Sequence, residues 1–196
     1  MIIFCFIGIR MEGQMGLGKT DLAFLEAVKD AGIVEAIKPE LIDEPDGLVL
    51  ITCGDCDHFP NLYNWLCKMY TTRIHLLVLN GGGLLLPSES RVNGLCEDAV
   101  LIQHAKAAME MKGIRSAIFS AHYPCGAAAE RGLNLQNVCR YIALGKKRLK
   151  RSIRSLKKVY SCLHIDYGDD KQKTYGVHTK EMAIFVRLYK TALSVL

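Results

Sequence analysis

"IRSAIFSAHYPCGAA", residues 114–128, decides how this chain is built. Residues 114–121 are largely apolar, the pattern of a strand buried on both faces. The run stops at His122, and Cys125 follows three residues later, just before a Gly-Ala stretch. Sheets with buried parallel strands hold their ligands beyond the carboxyl ends of those strands. A histidine and a cysteine placed there raise the question of a metal site and of where its other ligands lie.

Two further runs have the same form. "PDGLVLITCGD", 45–55, is a turn and then a continuously apolar strand that ends at Cys53. "RIHLLVLNGGG", 73–83, reads as another buried strand, running into a glycine turn. Between and around them the apolar residues fall at helical spacing. Helices are predicted over 21–32, 60–70 (opened by Pro60), 88–112 (closed by Gly113), 134–158 and 179–196. "MIIFCFIGI", 1–9, reads as a buried strand rather than a signal peptide, having no basic segment before it and no small-residue cleavage site. "VYSCLHIDYGDDKQKTYGV", 159–177, reads as a hairpin turning at "DDK". Alternating strands and helices predict an α/β fold: a mostly parallel central sheet flanked by helices, with a late antiparallel hairpin. The 196 residues fit one domain, with a strand and helix region over 1–44, a core over 45–178 and a closing helix over 179–196.

No apolar run approaches the roughly 20 residues that cross a bilayer, so no membrane partner is expected. Eight cysteines in so long and apolar a chain read as buried thiols of a reducing compartment, the cytoplasm, rather than as disulfide staples. The net charge of +5 is local: residues 146–158, "KKRLKRSIRSLKK", carry eight basic residues and no acid, and the remainder sums to −3. That segment reads as the solvated face of a helix, with an acidic or nucleic-acid partner as the alternative.

Zinc favours thiolates and imidazoles in a tetrahedron, and its catalytic sites keep one position open. Cys53 ends one buried strand, and His122 and Cys125 end another. If those strands are neighbours, three ligands converge. Asp55 lies two residues beyond Cys53, placed to accept a hydrogen bond from a bound water or to bind the ion itself. "CGDC" also allows Cys56 as a fourth ligand of a closed structural site, or a redox pair with Cys53. His58 stands close enough to act as a proton shuttle, while His75, His104, His164 and His178 read as surface or hydrogen-bonded residues.

Cys-x-Asp at the end of one buried strand and His-x-x-Cys-Gly at the end of another resemble the metal signature of the β-class carbonic anhydrases. "LLVLNGGGLLLP" is similar to the family's strand that enters an Arg-Asn-Ala-Gly-Asn turn, aligning Asn80 and Gly82, and "HIDYGDDKQKTYGV" resembles its late hairpin. The resemblance spans residues 45–178. It implies a zinc-dependent lyase in which Cys53, His122 and Cys125 bind Zn2+ and Asp55 orients the nucleophile. Asn80, Gly82 and Gly126 would border the pocket for carbon dioxide and bicarbonate. The bound water, its pKa lowered from about 15.7 to about 7, would attack carbon dioxide to give bicarbonate. It also implies a homodimer or larger assembly. Two positions depart from the family. Asp57 stands where an arginine normally holds the aspartate off the metal, which leaves Asp55 free to become a fourth ligand and silence the site unless Arg73, Arg91 or Arg115 substitutes. Leu79 stands where the turn has arginine.

"GQMGLGKT", 13–20, fits the Walker A pattern in full, between a strand-like and a helix-like run. Gly13, Gly18, Lys19 and Thr20 are therefore candidate nucleotide-binding residues, with Lys19 on the phosphates and Thr20 on magnesium. The competing reading is a glycine-rich turn into helix 21–32, since the metal pattern claims most of the chain a P-loop domain would need.

Overall fold

A computed structural model describes residues 17–37, 44–69 and 73–193. The expected N-terminal strand, and Gly13 with the first half of the glycine loop, lie outside the described residues. The fold is mixed α/β. Its strands are β1 (Val34–Ala36), β2 (Leu48–Thr52), β3 (Ile74–Val78), β4 (Ser116–Tyr123), β5 (Lys158–Asp166) and β6 (Gln172–Val177). They form one sheet in the order β1-β6-β5-β4-β2-β3. The β2–β3, β2–β4 and β4–β5 pairs are parallel, whereas β6 runs antiparallel to both β5 and β1. The β5–β6 hairpin is the late hairpin the sequence predicts, and it turns through Asp169 and Asp170, both at positive φ.

The connections set the position of the site. From β2 the chain passes through α2 (Phe59–Met69) to β3 on one side. It then returns through α3 (Glu97–Lys112) to β4 on the other side of β2. The order reverses between β2 and β4, and such a switch point opens a crevice at the carboxyl ends of the two strands.

Burial follows the strand patterns. Every residue of β2 is buried, as is every residue of β4 but Tyr123. Val49, Ile51 and Phe119 belong to the larger core, with α1 (Lys19–Asp30), α3, α5 (Leu135–Ser152) and α6 (Thr179–Leu193). Leu48, Leu50 and Ile118 pack instead with Leu62 and Leu66 of α2. Helices thus cover both faces, as parallel strands of this kind require.

Three expectations need correction. β3 is an edge strand, not a fully buried one: Leu76 and Val78 are 37% and 40% exposed, because nothing pairs beyond β3 among the described residues. Residues 88–96 are turns, and the helix begins only at Glu97. Asn93 donates to the carbonyls of Leu85 and Pro87, Cys96 adopts a left-handed conformation, and the Glu97 carboxylate takes the Gly94 and Leu95 N–H groups. These local bonds satisfy the backbone in place of a helix. Finally, the basic segment is not one helix. α5 starts at an Asn134 cap and stops at Ser152; Ile153 is extended and buried, and Lys157 and Lys158 bond the Arg115 carbonyl as β5 begins. Burying Ile153 and Leu156 turns the chain off the helix, and Lys158 ends on Glu44, 3.0 Å away. Among the described residues no helix is long and apolar enough to cross a membrane.

Candidate metal centre

β2 and β4 pair from Val49 with Ala117 to Ile51 with Phe119. Beyond that register Thr52 accepts a hydrogen bond from Ser120 at 2.8 Å, which closes the two strand ends against each other. Cys53 follows at once on β2. His122 lies near the end of β4, and Cys125 precedes the short helix α4 (Gly126–Ala129). One ligand atom each from Cys53, His122 and Cys125 lies within 4.8 Å of the others, and all three residues are buried. The sequence reading required the two strands to be neighbours, and they are.

The glycine turn after β3 backs this group. Gly81 (φ 90°) donates its N–H to the Cys53 sulfur at 3.2 Å. Gly82 (φ 48°) presses on the Cys53 backbone so closely that a Cβ there would sit 2.2 Å from the Cys53 nitrogen. Only a residue without a side chain fits this approach. Gly82 is therefore buried behind Cys53, while Asn80 and Gly126 are exposed.

The histidine is oriented by its other nitrogen. His122 Nδ1 lies 2.7 Å from the Pro124 carbonyl, which can only accept, so Nδ1 carries the proton. A neutral ring then has its lone pair on Nε2. That atom is buried and has no hydrogen-bond partner. Buried polar atoms are rarely left so. A cation at Nε2 would satisfy that atom, and the two sulfurs beside it would complete a zinc-type donor set.

The thiols support the same conclusion. Cys53 is pushed well down from the usual thiol range, chiefly by a hydrogen bond from Cys125, with His122 and the Gly81 N–H adding to it against the cost of burial. Cys125 is pushed up, first by that same bond. The directions of these shifts favour the thiolate at Cys53, and the thiolate is the form of cysteine that binds metal. For His122, burial pulls the pKa down, but Cys53 and Asp55 outweigh it and the net direction is up.

Asp55 stands at the edge of the group, its Oδ2 4.0 Å from His122 Nε2. Its Oδ1 accepts the N–H groups of Asp57 and His58 at 3.0 and 3.3 Å, which fixes the carboxylate in a turn. Among the described residues no arginine pairs with it. Arg73 bonds the Asp46 carbonyl, Arg91 bonds the Arg131 carbonyl, and Arg115 directly precedes β4, at the end of that strand away from His122. Cys56 does not join the sulfur pair; it is exposed, with its thiol toward Asp57.

Two further histidines complete the surroundings. The His58 ring lies 4.4 Å from that of His122 and 5.7 Å from that of His164. His58 is pushed below the usual histidine range by burial and then by His122, and His164 is pushed down to about 4, mainly by burial. His164 also bonds Thr174 and Gln172. Its place beside His122 comes from the β4–β5 register, which no spacing in the sequence announces.

The remaining candidates are elsewhere. Gly18 caps α1, and Lys19 and Thr20 are exposed on its first turn. Asp21, next to them, accepts from Tyr123 Oη at 2.7 Å and from the Leu135 N–H, tying α1 to the end of β4 and the start of α5. Lys147, Arg148 and Arg151 of the basic segment line a cavity of about 350 Å3 with Ser88, Glu89 and Ser152.

No protein-family model matches the sequence, and no curated protein matches it. Among solved structures the chain is similar to the crystal structure of the carbonic anhydrase from Streptococcus mutans. The match has 13% sequence identity and a TM-score of 0.42, and covers 82% of this chain and 99% of that one.

Proposed function

We propose that this chain is a zinc protein of the β-class carbonic anhydrase type, which interconverts carbon dioxide and bicarbonate in the cytoplasm as a homodimer or larger assembly. The observation that carries the reading is the buried Cys53–His122–Cys125 group at the switch point, with the His122 Nε2 lone pair unpartnered. The motif spacing around it supports the same class. Cys53, His122 and Cys125 would hold the zinc, which would supply Lewis acidity enough to lower the pKa of a bound water from about 15.7 to about 7. Cys53 and Cys125 supply the thiolate charge, and Pro124 keeps His122 in the tautomer that offers Nε2. Asp55 Oδ1 is occupied by two backbone N–H groups, which leaves Oδ2 to accept a hydrogen bond from the nucleophilic water and orient it. Asn80 and Gly126 lie on the substrate side.

A second reading has a specific observation behind it. Asp55 Oδ2 is 4.0 Å from His122 Nε2 with no arginine to hold it back, so Asp55 closes the open position and the ion is structural. Elemental analysis of purified protein with a carbon dioxide hydration assay separates the two: about one zinc per chain with turnover, or about one without. Absence of zinc sinks both and leaves the nucleotide reading of Gly13, Gly18, Lys19 and Thr20, which an ATP-binding assay checks. Under that reading Cys125→Ser leaves ATP affinity unchanged.

A further inference from the structure

We propose that Asp55, His58 and His122 form a second, alternative cation position beside the thiolate one, made of nitrogen and oxygen donors and suited to a harder divalent ion such as Mn2+ or Fe2+. It rests on the metal-centre reading only in sharing His122.

One ligand atom each from Asp55, His58 and His122 lies within 4.8 Å of the others. Two imidazoles and a carboxylate with open positions form a donor set that favours harder first-row ions, whereas thiolates favour zinc and softer ones. His122 has Nδ1 committed to Pro124, so it offers the same Nε2 to both groups. The two positions therefore exclude each other, and the chain holds one ion in either.

The polar atoms around this position are built but not satisfied. His122 is only 5% exposed, yet its Nε2 lacks a hydrogen-bond partner, and the His58 side chain beside it is 12% exposed. Asp55 is half-buried, with one oxygen already fixed by the turn and the other facing His122. Behind His58, Asp166 Oδ2 lies 3.9 Å from Nδ1. Asp166 is itself anchored by the Gly168 N–H at 2.8 Å and the Gln172 amide at 3.2 Å. An ion taken by His58 Nε2 leaves an Nδ1–H facing that carboxylate, the outer support that metal-bound histidines usually have. His58 stands where the turn after β2 enters α2, in the "CGDCDH" stretch that lacks the expected arginine. The same turn that leaves Asp55 unguarded thus supplies the additional ligand.

The test is calorimetric titration of the metal-stripped full chain with Cd2+ and, separately, with Mn2+. The wild type is expected to take about one equivalent of each. His58→Phe, which keeps a ring and removes the donor, should weaken Mn2+ by about tenfold or more and leave Cd2+ within about threefold. The Cys53→Ser/Cys125→Ser pair should do the reverse. No Mn2+ binding by the wild type, or unchanged Mn2+ affinity in His58→Phe, overturns the proposal. So does loss of Mn2+ along with Cd2+ in a double variant that circular dichroism shows to be folded. If the double variant does not fold, His58→Phe alone decides. Loss of Cd2+ binding by the wild type, with Mn2+ retained, sinks the thiolate centre and leaves this position standing.

Discussion

The two ends of β4 and β5 treat their polar side chains in opposite ways. At the amino end, the Glu44 carboxylate takes a hydrogen bond from Ser116, another from Tyr160 at 2.8 Å and the Lys158 ammonium at 3.0 Å. At the carboxyl end, His122 Nε2 and His58 Nδ1 are buried without hydrogen-bond partners, and the Cys53 and Cys125 thiols are buried beside His122. The strands are the same and so is their register. The amino end is closed electrostatically and contributes stability. The carboxyl end buries polar atoms without hydrogen-bond partners, which costs stability unless a ligand such as a cation satisfies them.

The sharpest way to break this contrast is at the ligands. Cys125→Ser should take zinc from about one per chain to near zero and lower carbon dioxide hydration by at least about a hundredfold. Retained zinc would show that the carboxyl end is not the binding site. Next comes the glycine that backs it. Gly82→Ala places a methyl against the Cys53 backbone at positive φ, and urea unfolding should show a loss of about 3 kcal/mol or more. Gly126→Ala is the control: nothing lies within 4 Å of the added carbon, and the change should stay under about 0.5 kcal/mol.

The amino end is probed by Glu44→Gln, expected to cost about 1–3 kcal/mol at pH 7. Burial raises the Glu44 pKa, but the bonds from Ser116, Tyr160 and Lys158 outweigh it, and the net direction is below 4.5. The group's contribution is therefore complete above that value and is lost as pH falls through the lower folded pKa. The gap between wild type and Glu44→Gln should close over the same acid range in pH-dependent unfolding. The smallest effect sharpens the carboxyl end. Asp57→Arg offers Asp55 a partner, and hydration turnover should rise by about two- to tenfold if Asp55 is what closes the site.

How much of this was legible depends on the range of the cause. β2 and β4 could be read because continuous apolar runs mark strands buried on both faces. That Cys53, His122 and Cys125 come together could be read because each ends a strand whose apolar run marks it as central. The edge position of β3 could not, since "IHLLV" is as apolar as a central strand and only the missing neighbour exposes it. The turns over 88–96 hid behind a helical pattern, because it is Asn93, bonded to carbonyls six and eight residues back, that holds them. The end of α5 came from packing Ile153, not from any breaker residue.

The sequence by itself determined the α/β class, the late hairpin and which side chains offer sulfur and nitrogen donors at strand ends, because periodicity and donor type are properties of short segments. Only the tertiary structure decided that β2 and β4 adjoin, that the chain reverses between them, that Pro124 fixes the His122 tautomer, and that His58 and His164 stand beside it. Those outcomes rest on pairing between segments tens of residues apart. Strand order is chosen by the burial of whole faces and by the handedness of the connections, which no local pattern encodes.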